Sequence, residues 1–207
     1  LAIVAVCRYQ YAARKLAVEA PPGKNMKKPR ADFEYMTELL HELFNRRSLQ
    51  SAFKVIDDQE ITGWEIWFQV EFARFLAEHS SEPEWHREQS LEFDYRMEKQ
   101  RYFFKPDFII RKKHWVLDRY VALEIKQHLH LGNCISNMVT DLAKVAKVRK
   151  SELDLRSFWA LGIFQTDDGT DVADLIESKL AHAGQPYYES RTKVAAIPGT
   201  AFSYALF

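Results

Sequence analysis

The sequence predicts an α/β protein: a mixed β-sheet flanked by helices and preceded by a helical extension. Three observations predict it. Helical and strand-like patterns follow one another in the order helix, three strands, helix, strand, helix, which suits helices packed on a sheet. The run Ser157-Phe158-Trp159-Ala160-Leu161-Gly162-Ile163-Phe164-Gln165 is almost continuously apolar, as a central strand covered on both faces must be. Of the 207 residues, 47% are hydrophobic and 14% aromatic, which is enough for one packed domain with an appendage and too much for a disordered chain. The expected division is a helical extension over residues 1–60 and an α/β domain over 61–207.

Each element has a local reason. Residues 3–19 carry the alanines and apolar positions of a helix, and Ala20-Pro21-Pro22-Gly23-Lys24-Asn25 breaks it. Asp32 is placed to cap a helix through about Asn45, whose stripe is Phe33, Met36, Leu39, Leu40, Leu43 and Phe44. The segment Phe53–Asp58 is ambiguous. Thr62 or Gly63 opens an amphipathic helix carrying Glu65 and Glu71, which ends near His79–Pro83. Ser90–Met97 alternates polar and apolar residues as a half-buried strand does. Two strands follow, around Phe108-Ile109-Ile110 and Tyr120-Val121-Ala122-Leu123. Asn133–Lys150 is a helix, Thr166–Gly169 a turn, Asp171 or Thr170 a cap for a helix through about Ala183, and Ala201–Phe207 a final strand.

Composition narrows the function classes. Cys7 and Cys134 are far apart and lack CxxC spacing, so a zinc site built on cysteine is not supported. No apolar run is long enough to span a bilayer and no secretory leader pattern opens the chain, so a cytoplasmic protein is expected, with a secreted toxin domain as the alternative. No GxxxxGK[ST] loop supports a nucleotide triphosphatase. Net charge is zero, but it is unevenly spread. Arg96, Lys99, Arg101, Lys105, Arg111, Lys112 and Lys113 face only Glu98 and Asp107, a basic block expected to surround Asp107 and attract a polyanion. The bland reading of Arg111-Lys112-Lys113 is a solvated hairpin protecting an edge strand.

The chemistry centres on Lys105-Pro106-Asp107-Phe108-Ile109-Ile110 and Val121-Ala122-Leu123-Glu124-Ile125-Lys126. Carboxylates within apolar strands are costly to bury unless they are paired or bind a cation. Glu124 and Lys126, two residues apart, share one face of a strand. Read singly, they are an ordinary surface ion pair; together with Asp107 and an acid on the preceding helix they suit a divalent cation and a phosphate.

Pro106-Asp107 followed by Glu124-Ile125-Lys126 resembles the signature of the PD-(D/E)xK nuclease superfamily, over roughly residues 63–165. The resemblance implies a restriction-endonuclease-like core and a Mg²⁺-dependent endonuclease, with Mn²⁺ as a substitute. Asp107, Glu124 and the Ile125 carbonyl would hold the metal. Glu71 would contribute from the helix, with Glu65 second, and Lys126 would stabilise the phosphate and position water. Lys105, Arg111, Lys112, Lys113 and Lys144 are the expected nucleic-acid contacts, DNA being favoured over RNA, and a homodimer or protein partner is compatible. The competing expectations are an inactive nuclease-fold subunit that binds nucleic acid or is structural, a toxin-type nuclease acting on RNA, and a hydrolase of another phosphate ester. His128 and His130 form an HxH pair without a third ligand nearby, and Trp85, Trp115, Tyr187 and Tyr188 are weaker candidates for base stacking.

Overall fold

A computed structural model describes residues 27–90, 105–115, 120–146, 155–166 and 169–207. The elements are α1 (Lys27–Phe44), α2 (Arg47–Asp58), α3 (Glu65–Glu78), β1 (Glu84–Arg87), β2 (Phe108–Arg111), β3 (Tyr120–Gln127), α4 (Leu131–Ala146), β4 (Leu155–Gln165), α5 (Val172–His182), β5 (Lys193–Ala196) and β6 (Phe202–Leu206). Among the described residues one six-stranded mixed sheet has the order β1-β2-β3-β4-β6-β5. Only β3 and β4 run parallel, joined by a crossover through α4; the other pairs are antiparallel.

Helices cover both faces. On one, α1, α2 and α3 bury Met36, Leu39, Phe44, Phe53, Phe68 and Phe72 against Val121, Leu123, Ile125 and Leu161. On the other, α4 and α5 bury Ile135, Met138, Ile176 and Leu180 against Ala160 and Phe164. This double cover explains the unbroken apolar run of β4. Aromatic rings dominate the first face: Phe44 stacks on Tyr204 at 4.5 Å, and Phe53 lies 5.2 Å from Phe202. Each such side chain, fully buried, contributes about 1.5–3 kcal/mol by leaving water.

Several expectations change. Asp32 caps nothing: α1 is already helical at Lys27, because Pro29 in its first turn has a preset φ and no needed N–H. The Asp32 carboxylate is instead fully buried, accepting from Arg156 Nε and, at 2.8 Å, from Ser157 Oγ. Residues 47–58, half of which were ambiguous, form a helix whose Leu49, Phe53 and Ile56 face the core. Strands β1 and β5 were not expected; both are short and lie at the sheet's edges, where apolar alternation is weak. The anticipated helix 3–19, its linker, most of the strand at 90–97 and the basic residues Arg96, Lys99 and Arg101 lie outside the described residues. Asp171 does cap α5, accepting from the N–H groups of Ala173 and Asp174 at 2.9 and 3.1 Å. No helix among the described residues is long and apolar enough to cross a membrane.

Gly162 sets how closely α4 approaches the sheet. A Cβ there would lie 2.2 Å from Met138 Sδ and 2.9 Å from Cys134 Sγ, both side chains being fully buried. Gly162 is also the register partner of Lys126. Gly162→Ala is therefore expected to destabilise the fold by about 1–3 kcal/mol through overpacking, read as a lower urea midpoint. An unchanged midpoint would mean that the Met138 thioether moves aside freely.

Candidate active site

The candidate site forms at the C-terminal end of β3. Alternation sends Val121, Leu123 and Ile125 into the α1–α3 core, and so turns Glu124 and Lys126 toward α4. Phe108 pairs with Leu123 in antiparallel register, which carries Asp107 opposite Glu124. Asp107 Oδ2 accepts the Ile125 N–H at 2.7 Å, and Oδ1 accepts from Gln69 Nε2 at 2.8 Å. Lys126 Nζ lies 2.8 Å from Glu124 Oε1 and 3.1 Å from Asp141 Oδ2 on α4. Glu65, at the start of α3, accepts the Gln127 N–H at 3.1 Å. Asp107, Glu124 and Lys126, expected to converge, are thus brought together from β2 and β3, and α3 and α4 each add an acid.

Negative charge is in excess. Glu65, Asp107, Glu124 and Asp141 face the ammonium of Lys126, and Asp141 also holds the exposed Lys144 at 2.7 Å. Burial raises the Asp107 pKa, opposed by the Ile125 N–H, the Lys126 charge and the Gln69 amide, and reinforced by Glu65. Burial likewise raises Glu124, and the neighbouring Asp107 charge adds to it against the pull of Lys126. Glu65 is raised first by burial and further by Glu124 and Asp141, with Lys126 and the Gln127 N–H opposing. Burial would lower Lys126, but the hydrogen bond to Glu124 and the charges of Glu124 and Asp141 win, and its pKa stands above the ordinary value. Lys126 is accordingly an ammonium at neutral pH.

The helix acid differs from the first expectation. Glu71 is engaged by Arg74 at 2.6 Å, whereas Glu65 meets the backbone of β3. Glu65 and Gln69 stand one turn apart on the face toward the site; Glu71 lies two residues past Gln69, about 200° around the helix. The basic block is also redistributed. Arg111 is four residues along β2 from Asp107, about 13 Å away in an extended strand. Arg111 pairs with Glu84, Lys113 with Glu82, and the Lys112 ammonium lies 5.0 Å from the Tyr35 ring centre. These three residues therefore belong to the opposite end of the sheet and do not surround Asp107. Lys105 stays near the site end but is paired with Glu88 at 2.7 Å, and Lys144 stands beside the site on α4.

Sequence reasoning missed Gln69, Arg87 and, as a partner of Lys126, Asp141. The i,i+4 spacing of Glu65 and Gln69 was the available signal for the first; for Arg87 there was none, because β1 was not expected. His128 is occupied locally, its Nδ1 accepting the His130 N–H at 2.9 Å and its Nε2 lying 3.3 Å from the Asn133 amide. Trp85 and Trp115 pack against the core, and the Arg156 guanidinium lies 4.1 Å from the Trp115 ring centre. The Cys134 thiol is buried and pushed up to about 12, so it is not a nucleophile.

Among the described residues, no three His, Cys, Asp or Glu side chains form a metal-holding group. A pair of carboxylates with a main-chain carbonyl is still a fitting donor set for Mg²⁺, which binds through one or two carboxylates and keeps water ligands. Ile125 has its N–H on Asp107, and the C=O of a strand residue points to the same side as its N–H. The excess of desolvated carboxylates fits a cation better than it fits packing. No family model, curated protein or solved structure matches this chain.

The raised pKa of Glu124 means that ionising it costs the folded state more than the unfolded one. Below its unfolded pKa both states hold the proton; the penalty develops as pH rises through the folded pKa. Glu124→Gln should therefore raise Tm relative to the parent protein in chelator at neutral pH, and the gap should close on acidification. A lower Tm for the variant at neutral pH would show that the Lys126 pairing outweighs the desolvation of Glu124.

Proposed function

We propose that the chain is a metal-dependent nuclease hydrolysing the phosphodiester bonds of DNA. The observation that carries this reading is the convergence of Asp107, Glu124 and Lys126 at one end of β3, with Glu65 arriving from the preceding helix. The order α3, antiparallel β1-β2-β3, α4, then β4 parallel to β3 is the one expected of a restriction-endonuclease-like core, and it supports the same reading.

Asp107, Glu124 and the Ile125 carbonyl would hold Mg²⁺ or Mn²⁺. When bound, the cation supplies Lewis-acid polarisation of a phosphate oxygen and a more acidic water. The chain's own residues do the rest. Lys126, kept as an ammonium by Glu124 and Asp141, places a fixed positive charge where a phosphate oxygen gains negative charge, and it orients the attacking water. A protonated Lys126 is not a proton acceptor, so its role is electrostatic. Glu65 has one oxygen committed to the Gln127 N–H and adds negative charge beside the donor set from the helix side. Exposed Lys144 beside Asp141 offers a contact to the nucleic-acid backbone.

The test is incubation with plasmid, linear duplex, single strands and RNA, with Mg²⁺ or with chelator, alongside Asp107→Ala and Lys126→Ala proteins whose folding is checked by melting. Chelator-sensitive cleavage of DNA, reduced at least about 100-fold by either substitution, is expected. Cleavage that needs no metal, or that survives both changes, would sink the assignment; cleavage confined to RNA would move the substrate class and keep the site. A second comparison separates the two helix acids. Glu65→Gln should slow cleavage by about 10–100-fold, as losses beside a metal commonly do, and Glu71→Gln should leave the rate within about 2-fold.

A further inference from the structure

Asp107 is held by a relay that begins on a different strand. Gln69 of α3 is almost wholly buried, 3% exposed, and is bonded to both Arg87 of β1 and Asp107 just before β2. Arg87 of β1 donates to Gln69 Oε1 twice, from Nε at 3.1 Å and from Nη2 at 2.8 Å. Those donors settle the orientation of the amide, because an NH₂ group cannot accept them. The Nε2 end must then face Asp107, and it donates to Oδ1 at 2.8 Å. Together with the Ile125 N–H on Oδ2, this fixes the plane of the carboxylate from both sides.

We propose that Gln69 and Arg87 are positioning residues that orient Asp107 toward a divalent cation, Arg87 acting only through the Gln69 amide. The inference rests on the reading of Asp107 as a metal ligand. Its physical sense lies in what an amide is. A Lys or Arg at position 69 would place a full positive charge beside the donor set and compete with a cation. A neutral N–H donor holds the carboxylate equally firmly without that competition, and the guanidinium is kept one residue further back. Arg87 is also balanced by Glu88 at 3.1 Å, which restrains its charge at the site mouth.

The experiment measures Mn²⁺ binding calorimetrically to the metal-free full chain, then Mg²⁺-dependent cleavage with kcat and KM resolved. The variants are Gln69→Met, Arg87→Met and Arg87→Lys. Gln69→Met is close in length and volume, gives Asp107 no donor and adds no charge beside the donor set. Arg87→Met frees the amide to turn. Each should weaken Mn²⁺ binding by about 10–100-fold and lower kcat with little change in the KM for DNA. Arg87→Lys, which can still donate to Oε1, should recover part of the loss. Melting temperatures show whether the fold is kept; should Gln69→Met fail to fold, the partly exposed Arg87 decides the matter. Unchanged Mn²⁺ affinity in folded variants overturns the relay while leaving the nuclease reading intact. Arg87→Met raising KM alone overturns it in favour of a direct phosphate contact. A parent protein that binds no Mn²⁺ and cuts nothing overturns the nuclease reading, and the relay with it.

Discussion

The buried acids around Lys126 are the constraint from which the rest of the site follows. Removing a carboxylate from water costs several kcal/mol unless opposite charge and hydrogen bonds replace the lost hydration. Asp32 meets that demand fully: although wholly buried, it has the Arg156 guanidinium and the Ser157 hydroxyl, and it ties α1 to β4. The acids at the end of β3 do not. Asp107, Glu124 and Glu65 all have raised pKa values with burial as the first cause, and the ammonium they share is already divided between Glu124 and Asp141. One ion pair is architecture; the other cluster has spare negative charge held in place by a packed scaffold.

Packing on the α4 side gives the cluster its shape. Ala160 and Gly162 of β4 lie beside Glu124 and Lys126 in parallel register. Their small size lets α4 settle close, with Met138 and Cys134 against Gly162, and this puts Asp141 within 3.1 Å of the ammonium. On the opposite face the aromatic layer of α1–α3 sets the position of α3, and so of Glu65 and Gln69. Residues 27–58 share that apolar core with the strands and form a cap on the sheet.

Charge along the chain proved a poor guide to charge in space. The basic residues after Asp107 looked like a funnel for a polyanion, yet Glu82 and Glu84, 31 and 27 residues earlier, pair with Lys113 and Arg111 at the β1–β2 edge. A strand of only a few residues also separates them from the acids of the site. Exposed pairs of this kind contribute little to stability, but they remove much of the local field that an isolated basic block would project.

Alternation and helical period made the α/β layering, the central strand β4 and the shared face of Glu124 and Lys126 legible from residues alone, because each depends on neighbours within a turn or a few strand positions. That Asp107 would meet Glu124 was expected from two successive strand-like runs; the antiparallel register that sets them face to face came from the structure. The choice of Glu65 over Glu71, the Arg87–Gln69 relay, the Asp141 contact and the pairing of Lys105, Arg111 and Lys113 with acids were decided only by tertiary structure. They depend on how far each helix is rotated against the sheet and which strand lies beside which, and those quantities are set by packing between segments remote in sequence.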